Sequence, residues 1–197
     1  MEHYFTNNDA LEHHYEQLTY HFENQTMTFK TDNGVFSKSM IDYGSRVLLE
    51  AVEKNGVGDI LDVGCGYGTI GLTLAKIWQE KVDLVDVNDR ALDLCRYNAL
   101  HNGVIDQVNI FKSFCYDEVK KNDYALIVTN PPIRAGKQVV HTILEEAYDH
   151  LKEEGELYCV IQKKQGAKSA QKKMQEVFNN CTIVKKDKGY YILKSKK

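Results

Sequence analysis

The stretch ILDVGCGYGTIG at residues 60–71 decides the fold of this chain. Its first apolar residues predict a buried strand, alternating glycines follow, and apolar residues at helical spacing continue to Ile77. Glycine is favoured where the backbone turns sharply or lies against a ligand. The N-terminus of the next helix offers free N–H groups and a positive dipole end to an anionic group. The stretch therefore predicts a strand, a tight turn and a helix around a ligand.

Two kinds of nucleotide-binding site have glycine patterns that match this turn. Gly66, Gly68 and Gly71 fit the G-x-G-x-x-G pattern of dinucleotide-binding folds. Residues 62–68 also fit the acidic-x-G-x-G-x-G loop of methyltransferases that use S-adenosylmethionine (SAM). An ordinary strand–helix turn rarely needs so many glycines, so both patterns favour a nucleoside-like ligand.

Asp86 ends the next predicted strand, at residues 82–86, and follows Gly66 by 20 residues. A carboxylate at that strand end can accept hydrogen bonds from both hydroxyls of a ribose. Asn88 is better placed than Asp86 to cap the helix that follows. Asp83 points to the opposite face of the strand, and we expect it to meet solvent. These residues support a nucleoside-like cofactor without separating a dehydrogenase from a methyltransferase.

Composition predicts one ordinary cytoplasmic domain. The 197 residues can bury a full core, and no apolar run approaches the ~18 residues of a membrane span. Residues 1–9 lack the basic and apolar parts of a signal peptide. The five cysteines are odd in number and form no C-x-x-C pair, and the histidines have no metal-ligand spacing. We therefore expect reduced thiols, no metal and no membrane partner.

The net charge of −3 is unevenly distributed along the chain. Residues 163–197 contain 11 lysines against only Glu176 and Asp187, which gives this segment +9 and the preceding residues −12. Such asymmetry is typical of a nucleic-acid-binding face. A solvated helix and tail would show the same pattern, so both interpretations stay open.

Apolar periodicity predicts an α/β fold with a mostly parallel sheet and helices on both faces. Residues 15–35 predict a β-hairpin that precedes this core. We interpret 1–197 as a single domain, with 1–38 as a hairpin extension and 39–197 as the catalytic core. The final hairpin adds an antiparallel strand. Predicted core strands are 59–63, 82–86, 107–111, 124–129, 157–161, 182–186 and 190–194, and predicted helices include 89–101, 136–151 and 167–178.

The chain's only two prolines are adjacent, in TNPPI at residues 129–133, directly after an apolar strand. Ligands of open α/β sheets bind at the carboxyl ends of strands, so Asn130 should face the same crevice as Gly64 and Asp86. The prolines stiffen the backbone and remove two N–H donors. The side-chain oxygen of Asn130 and the carbonyl of Pro131 remain as fixed acceptors.

Two such acceptors suit the methylation of a planar NH2 group. The lone pair of an exocyclic amine or amide is delocalised, which makes the nitrogen a poor nucleophile. Acceptors that hold both hydrogens favour a more tetrahedral nitrogen and aim its lone pair at a sulfonium methyl. Catalysis then depends on positioning and electrostatics, without a covalent enzyme intermediate. We therefore assign Asn130 and Pro131 as catalytic, and favour a methyltransferase over a dehydrogenase.

The segments 61–68, 86–91 and 130–137 resemble class I SAM-dependent methyltransferases with an Asn-Pro-Pro signature. They are most similar to the small methyltransferase domain of bacterial ribosomal RNA guanine 2-amino methyltransferases of the RsmC type. Residues 34–45 also fit that family's lead-in to the glycine loop, and the resemblance covers roughly 15–195. It implies a Rossmann-like sheet of order 3-2-1-4-5-7-6 with the seventh strand antiparallel. It also implies SAM as cofactor, S-adenosylhomocysteine as product, and RNA as partner, either as 16S-type ribosomal RNA or within the small ribosomal subunit.

The resemblance assigns roles by position. Asp62 should lie near the amino group of SAM, the glycine loop beneath its methionine part, and Asp86 at its ribose hydroxyls. The implied cofactor residues are Asp62, Val63, Gly64, Cys65, Gly66, Gly68, Asp86, Val87, Ser113, Phe114 and Asn130. The implied substrate residues are Pro132, Ile133, Arg134 and Lys137, of which the last two could meet an RNA phosphate.

Two positions depart from the family pattern. Phe114 stands where many relatives have an aspartate that fixes adenine, and Ile133 stands where many have an aromatic residue that stacks on the target base. Phe36 or Tyr67 would have to stack instead. Two alternative functions stay open. One is a protein glutamine-amide methyltransferase, and the other is a non-catalytic SAM-binding module for RNA or ribosome assembly.

Overall fold

A computed structural model of the protein describes residues 11–56 and 58–197. The expectations for residues 1–9, and the first ten residues of the predicted extension, lie outside the described residues. The strands are β1 (Glu16–Phe22), β2 (Gln25–Thr31), β3 (Ile60–Val63), β4 (Val82–Asp86), β5 (Val108–Lys112), β6 (Tyr124–Thr129), β7 (Leu151–Gln162), β8 (Thr182–Asp187) and β9 (Tyr190–Lys196). The helices are α1 (Tyr43–Leu49), α2 (Thr69–Trp78), α3 (Asp89–His101), α4 (Lys137–His150) and α5 (Ala167–Phe178).

Within the described residues, seven strands form the main sheet in the order β5-β4-β3-β6-β7-β9-β8. Strands β3 to β7 pair in parallel, whereas β9 runs antiparallel to both β7 and β8. Counted from the first core strand, this is the predicted order 3-2-1-4-5-7-6. The α/β fold and the antiparallel strand are therefore confirmed.

The sheet separates two apolar layers. Helices α1, α2 and α3 pack on one face together with the β1–β2 hairpin, and α4 and α5 pack on the other. All four residues of β3 are buried because it lies between β4 and β6 with helices on both faces. A strand buried on both faces reads as a continuous apolar run, as 60–63 does except at Asp62.

The β1–β2 hairpin docks on the C-terminal part of α3 through two buried asparagines, Asn98 in the helix and Asn102 directly after its last residue. Asn98 accepts a hydrogen bond from Lys30 N at 2.7 Å and donates to Lys30 O at 3.1 Å. Asn102 accepts from Thr28 N at 2.9 Å and donates to Thr28 O at 2.8 Å. Asn98 also donates to Tyr67 O at 3.0 Å, so one side chain links the hairpin to the glycine loop.

Two local predictions were wrong. Asp83 is buried rather than exposed, because Tyr124 donates its hydroxyl to Asp83 Oδ2 at 2.5 Å and Lys121 pairs with the same oxygen at 3.1 Å. Strand β7 starts at Leu151, directly after α4, although Gly155 was expected to separate helix from strand. A Cβ on Gly155 would lie 2.8 Å from Lys152 O and 2.9 Å from Tyr124 O, so this glycine allows a close backbone approach within the strand.

Candidate active site

A cavity of about 400 Å³ opens where the carboxyl ends of four parallel strands meet. The glycine loop follows β3, Asp86 and Val87 end β4, Ser113 to Cys115 follow β5, and Asn130 to Pro132 follow β6. All of these segments line the cavity. Convergence at this edge is the arrangement expected for a ligand site in an open α/β sheet.

The glycine loop forms one wall of the cavity. Gly64 and Gly66 have φ angles of +74° and +56°, in the left-handed region that favours glycine. A Cβ on Gly66 would meet no atom within 4 Å, so the space beside it is open. The N–H groups of Gly64 and Cys65 both donate to Val85 O, at 2.9 and 3.0 Å, and fix the start of the loop.

Two backbone donors hold the Asp86 carboxylate in place at the cavity. Gly66 N donates to Oδ2 and Asn88 N donates to Oδ1, both at 2.9 Å. Burial raises the pKa of Asp86, and these hydrogen bonds oppose that shift. Each carboxylate oxygen can accept a further hydrogen bond, so the side chain can receive two donors from a ligand.

Two of the predicted cofactor residues lie behind the loop and do not line the cavity. Asp62 is buried beneath it, where Oδ2 accepts from Gly71 N at 2.8 Å and Oδ1 has no hydrogen-bond partner among the described residues. Gly68 faces α3, and a Cβ there would lie 2.6 Å from Leu72 Cδ1 and 2.8 Å from Cys95 Sγ. In the structure Asp62 is thus joined to the first turn of α2, and Gly68 packs closely against α2 and α3.

Burial raises the pKa of Asp62 to about 7, and the nearby charge of Asp86 adds to this shift. Between about pH 4 and this value, Asp62 therefore holds a proton more often in the folded protein than in the unfolded chain. The contribution of this group to stability falls as pH rises through that window. Asp62→Asn lacks this titration. We compare the free energy of unfolding of the variant with that of the wild type at two pH values. The difference, variant minus wild type, is expected to be about 2 kcal/mol larger at about pH 8 than at about pH 5. Urea unfolding of both proteins at the two pH values measures this, and a pH-independent difference would contradict it.

Val87, Ser113 and Phe114 line the part of the cavity next to Asp86. The Ser113 hydroxyl donates to Cys115 O and accepts from Glu118 N, both at 3.1 Å, so its hydrogen bonds are made within the protein. Phe114 has a 50% exposed side chain. Its ring is therefore the larger free surface on this side of the cavity.

The amide of Asn130 is oriented by two acceptors. Its Nδ2 donates to Asp42 Oδ2 and to Ser45 Oγ, both at 2.9 Å. Asp42 is also the N-cap of α1 and accepts from Ser45 N at 2.8 Å. Since the amide nitrogen points to these two residues, the opposite atom, Oδ1, is directed to the other side. Asn130, Asp42 and Ser45 all line the cavity.

Asp42 and Ser45 were not among the predicted site residues, although they lie within the lead-in segment 34–45 that carried the resemblance. Asp42 offers a signal by its type, because an aspartate directly before a helical segment is a favoured N-cap residue. The sequence could not show that the same carboxylate also meets Asn130, which follows it by 88 residues.

The predicted substrate residues divide into two groups. Pro131 and Pro132 line the cavity, whereas Ile133 packs against the apolar layer that contains α4. Arg134 and Lys137 are exposed, in the short 3-10 turn after Pro132 and at the first residue of α4.

Both aromatic residues that were expected to replace Ile133 line the cavity, but they differ in exposure. Tyr67 is buried and donates its hydroxyl to Ser37 O at 3.2 Å. Phe36 is 38% exposed. Phe36 is therefore the more exposed of the two aromatic residues at the cavity.

In residues 11–56 and 58–197, no helix combines the length and apolar character needed to cross a bilayer. The same residues contain no group of three His, Cys, Asp or Glu side chains that could hold a metal ion. All five cysteines are free thiols.

Two curated relatives of this chain differ in how much of their length it covers. YbxB of Bacillus subtilis, described as an uncharacterized protein, is 47% identical over 199 residues, which cover 100% of this chain and 98% of the relative. The ribosomal RNA small subunit methyltransferase C of Vibrio parahaemolyticus is 34% identical over 181 residues, 88% of this chain but 50% of that protein.

A solved structure shares the fold. The Thermus thermophilus 16S rRNA N2 G1207 methyltransferase, in complex with AdoMet and guanosine, aligns with a TM-score of 0.84 at 23% identity, over 93% of this chain and 50% of that one. The chain thus spans about half the length of this protein and of the Vibrio relative. The family described as "Methyltransferase small domain" matches residues 26–194. Because that match covers most of the sequence, the chain belongs to the methyltransferase small domain family of SAM-dependent methyltransferases.

Proposed function

We propose that this protein transfers a methyl group from SAM to the 2-amino group of a guanine in small-subunit ribosomal RNA. The new N–CH3 bond forms as the S–CH3 bond of SAM breaks, and the amine then loses one proton, so the products are N2-methylguanine in the RNA, S-adenosylhomocysteine and a proton. The observation that carries the proposal is the Asn130 amide, whose nitrogen is held by Asp42 and Ser45 so that its oxygen remains for a substrate. The Vibrio and Thermus relatives support the RNA substrate by their names. Action on ribosomal RNA implies a cytoplasmic protein.

The residues around the cavity fit SAM. Asp86 offers two carboxylate oxygens to ribose hydroxyls, and the open space beside Gly66 lets a ligand approach the loop backbone. The exposed ring of Phe114 offers a surface for adenine. The unpartnered Oδ1 of Asp62 lies beneath the same loop, where a cationic amino group nearby would favour its charged form. When bound, SAM supplies an electrophilic methyl group on its sulfonium.

The chain's contribution to the reaction is to orient the amine. Asn130 Oδ1 and the Pro131 carbonyl accept its two hydrogens, which favours a tetrahedral nitrogen with its lone pair free to attack. Pro132 has no backbone N–H, so it cannot form an internal hydrogen bond to either of these acceptors. Asp42 and Ser45 keep the amide from rotating, so the acceptor is in place before the substrate arrives.

Positive charge on the cavity side of the sheet supports an RNA substrate. We call Lys163, Lys164, Lys186 and Lys188 the carboxyl-edge lysines. Lys163 and Lys164 follow the carboxyl end of β7, and Lys163 N donates to Gly189 O at 2.8 Å, which brings the β8–β9 turn to the same edge. Lys188 Nζ lies 4.8 Å from the ring centroid of Tyr43, the first residue of α1, so this charge adjoins the helix that Asp42 caps.

Ion pairing differs between the two edges of the sheet. Among the described residues, no carboxylate pairs with any of the carboxyl-edge lysines. At the opposite end of β9, Lys194 pairs with Glu156 and Lys196 with Glu154. Positive charge therefore remains available on the edge that contains the cavity. A phosphate backbone would bind there with a strong dependence on salt.

Removing Lys163 and Lys164 together is expected to weaken binding of ribosomal RNA. The salt slope of the affinity should also fall, by about one for each phosphate that these lysines neutralise in the wild type. Filter binding of the Lys163→Ala, Lys164→Ala double variant at several salt concentrations measures both quantities. Lys81→Ala with Lys120→Ala is the matched control, because both are exposed lysines that precede the amino ends of core strands. An equal loss of RNA affinity in the control variant would mean that lysines at either edge of the sheet contribute equally to RNA binding.

The proposal is tested by methyl transfer from radiolabelled SAM into unmodified small-subunit ribosomal RNA and into protein extract. Digestion of labelled RNA to nucleosides should give N2-methylguanosine, and the Asn130→Ala variant should give none. Label in protein would instead support the glutamine-amide alternative. SAM binding without label in either fraction would support the binding-module alternative.

A further inference from the structure

We propose that Asp42 selects guanine by accepting a hydrogen bond from the ring N1–H that adjoins the 2-amino group. The inference rests on the proposed placement of a guanine in the cavity, and it adds a specificity-determining residue to that site. It follows from how the two oxygens of the Asp42 carboxylate are used.

The two internal hydrogen bonds of Asp42 go to the same oxygen. Oδ2 accepts from Ser45 N at 2.8 Å and from Asn130 Nδ2 at 2.9 Å. Oδ1 accepts no hydrogen bond from the residues that the structure describes. Asp42 is half-buried and lines the cavity beside Asn130. One carboxylate oxygen therefore remains next to the group that is proposed to hold the amine.

The fixed oxygen also restrains the free one. Oδ2 is tied to the first turn of α1 through Ser45 N, so rotation of the carboxylate would break the helix cap. A substrate that donates to Oδ1 then pays little side-chain entropy for the contact. This is the condition under which a single hydrogen bond contributes to selectivity.

A carboxylate oxygen accepts hydrogen bonds and cannot donate them. In guanine, the 2-amino group adjoins N1–H, so two neighbouring donors face the Asn130–Asp42 pair. In adenine and cytosine, the ring nitrogen beside the exocyclic amine is an acceptor, which would face Oδ1 without a hydrogen between them. A site whose buried polar groups stay unpaired rejects such a substrate strongly. A glutamine side-chain amide offers no second donor and would leave Oδ1 unused.

Asp42→Asn changes this one feature. The asparagine oxygen can replace Oδ2 and accept from both Ser45 N and Asn130 Nδ2, and asparagine is itself a favourable N-cap. Its Nδ2 then takes the position of Oδ1, which turns the acceptor into a donor. The variant should therefore prefer a ring acceptor beside the 2-amino group.

The probes are guanosine and 2-aminopurine riboside, which carries the same 2-amino group beside a ring nitrogen without hydrogen. With the protein saturated with S-adenosylhomocysteine, 2-aminopurine fluorescence gives the Kd of the riboside, and displacement gives that of guanosine. In the wild type, guanosine should bind at least about tenfold more tightly, which corresponds to one hydrogen bond to a charged group. In Asp42→Asn, the ratio should fall by about tenfold or reverse.

Asp187→Asn is the matched control. Asp187 accepts a hydrogen bond from the Tyr43 hydroxyl at 2.9 Å, so this variant removes a carboxylate that contacts the same helix but does not line the cavity. It should keep the wild-type ratio. The inference is overturned if the ratio in Asp42→Asn equals that of the wild type, if the wild type shows no preference, or if neither nucleoside binds.

Methyl transfer to ribosomal RNA is measured on the same preparations, so the two proposals can fail separately. Transfer by the wild type together with an unchanged ratio in Asp42→Asn refutes the role of Asp42 alone. A guanosine preference that depends on Asp42, without transfer to ribosomal RNA, supports the role of Asp42 and refutes the proposed RNA substrate.

Discussion

Asn130→Ala is expected to lower kcat for methyl transfer by about 100- to 1,000-fold, the typical effect of removing one preorganised hydrogen-bonding group at a reacting centre. The affinity for SAM should stay within about threefold, because the proposed contacts of the cofactor are with the glycine loop and Asp86. The reason lies in the fixed amide. Its nitrogen is held by Asp42 and Ser45, so its oxygen acts as an acceptor that needs no reorganisation. Single-turnover transfer from labelled SAM and calorimetric titration with SAM measure the two quantities.

Asn122→Ala provides the matched control for this experiment. Asn122 is an exposed asparagine just before the amino end of β6, the strand whose carboxyl end is followed by Asn130. Its removal should leave kcat and SAM affinity unchanged. An Asn130→Ala enzyme with wild-type kcat would exclude the proposed role of the amide. A parallel drop in SAM affinity would instead indicate that Asn130 supports the cofactor.

Asp86→Ala is expected to weaken SAM binding by about 100-fold, since a hydrogen bond to a charged group contributes about 1.5–3 kcal/mol and two ribose hydroxyls are available. The variant also lacks the carboxylate that holds Gly66 N and Asn88 N, both at 2.9 Å in the structure. The glycine loop would therefore be less ordered before the cofactor arrives. Both effects act in the same direction, and kcat at saturating SAM should change much less.

Calorimetric titration with SAM gives the affinity, and Asp93→Ala is its control. Asp93 is exposed on α3 and pairs with Arg96 at 3.0 Å, away from the residues that line the cavity. A change of less than about threefold in Asp86→Ala would contradict ribose recognition by this carboxylate.

Local patterns were sufficient to predict the fold and the position of the cavity. The alternation of short apolar runs with amphipathic segments determines a parallel sheet, because right-handed crossovers leave few other topologies. Parallel strands place their carboxyl ends at one edge, so the glycine loop, Asp86 and Asn130 could be expected to meet there. The cavity is lined by all three.

The remaining features depend on contacts between distant parts of the chain. The hydrogen bond from Asn130 to Asp42 spans 88 residues, and no periodicity encodes it. The burial of Asp83 depends on the hydroxyl of Tyr124, 41 residues away. Asp62 is the acidic residue of the glycine-loop motif. The orientation of its side chain depends on the turn of the loop and on the hydrogen bond from Gly71 N. Sequence patterns give the position of such residues along a strand but not the partner of each polar atom.

The asparagine pair on α3 has a consequence for how the chain avoids aggregation. One edge of β2 pairs with β1. Without the contacts to Asn98 and Asn102, its other edge would present unpaired N–H and C=O groups to a strand of another molecule. Four residues along a helix advance about 6 Å, and two residues along a strand advance nearly the same distance. Asn98 and Asn102 therefore match Lys30 and Thr28 and imitate a neighbouring strand with their side-chain amides. Replacing both with leucine would expose a template for edge-to-edge pairing between molecules.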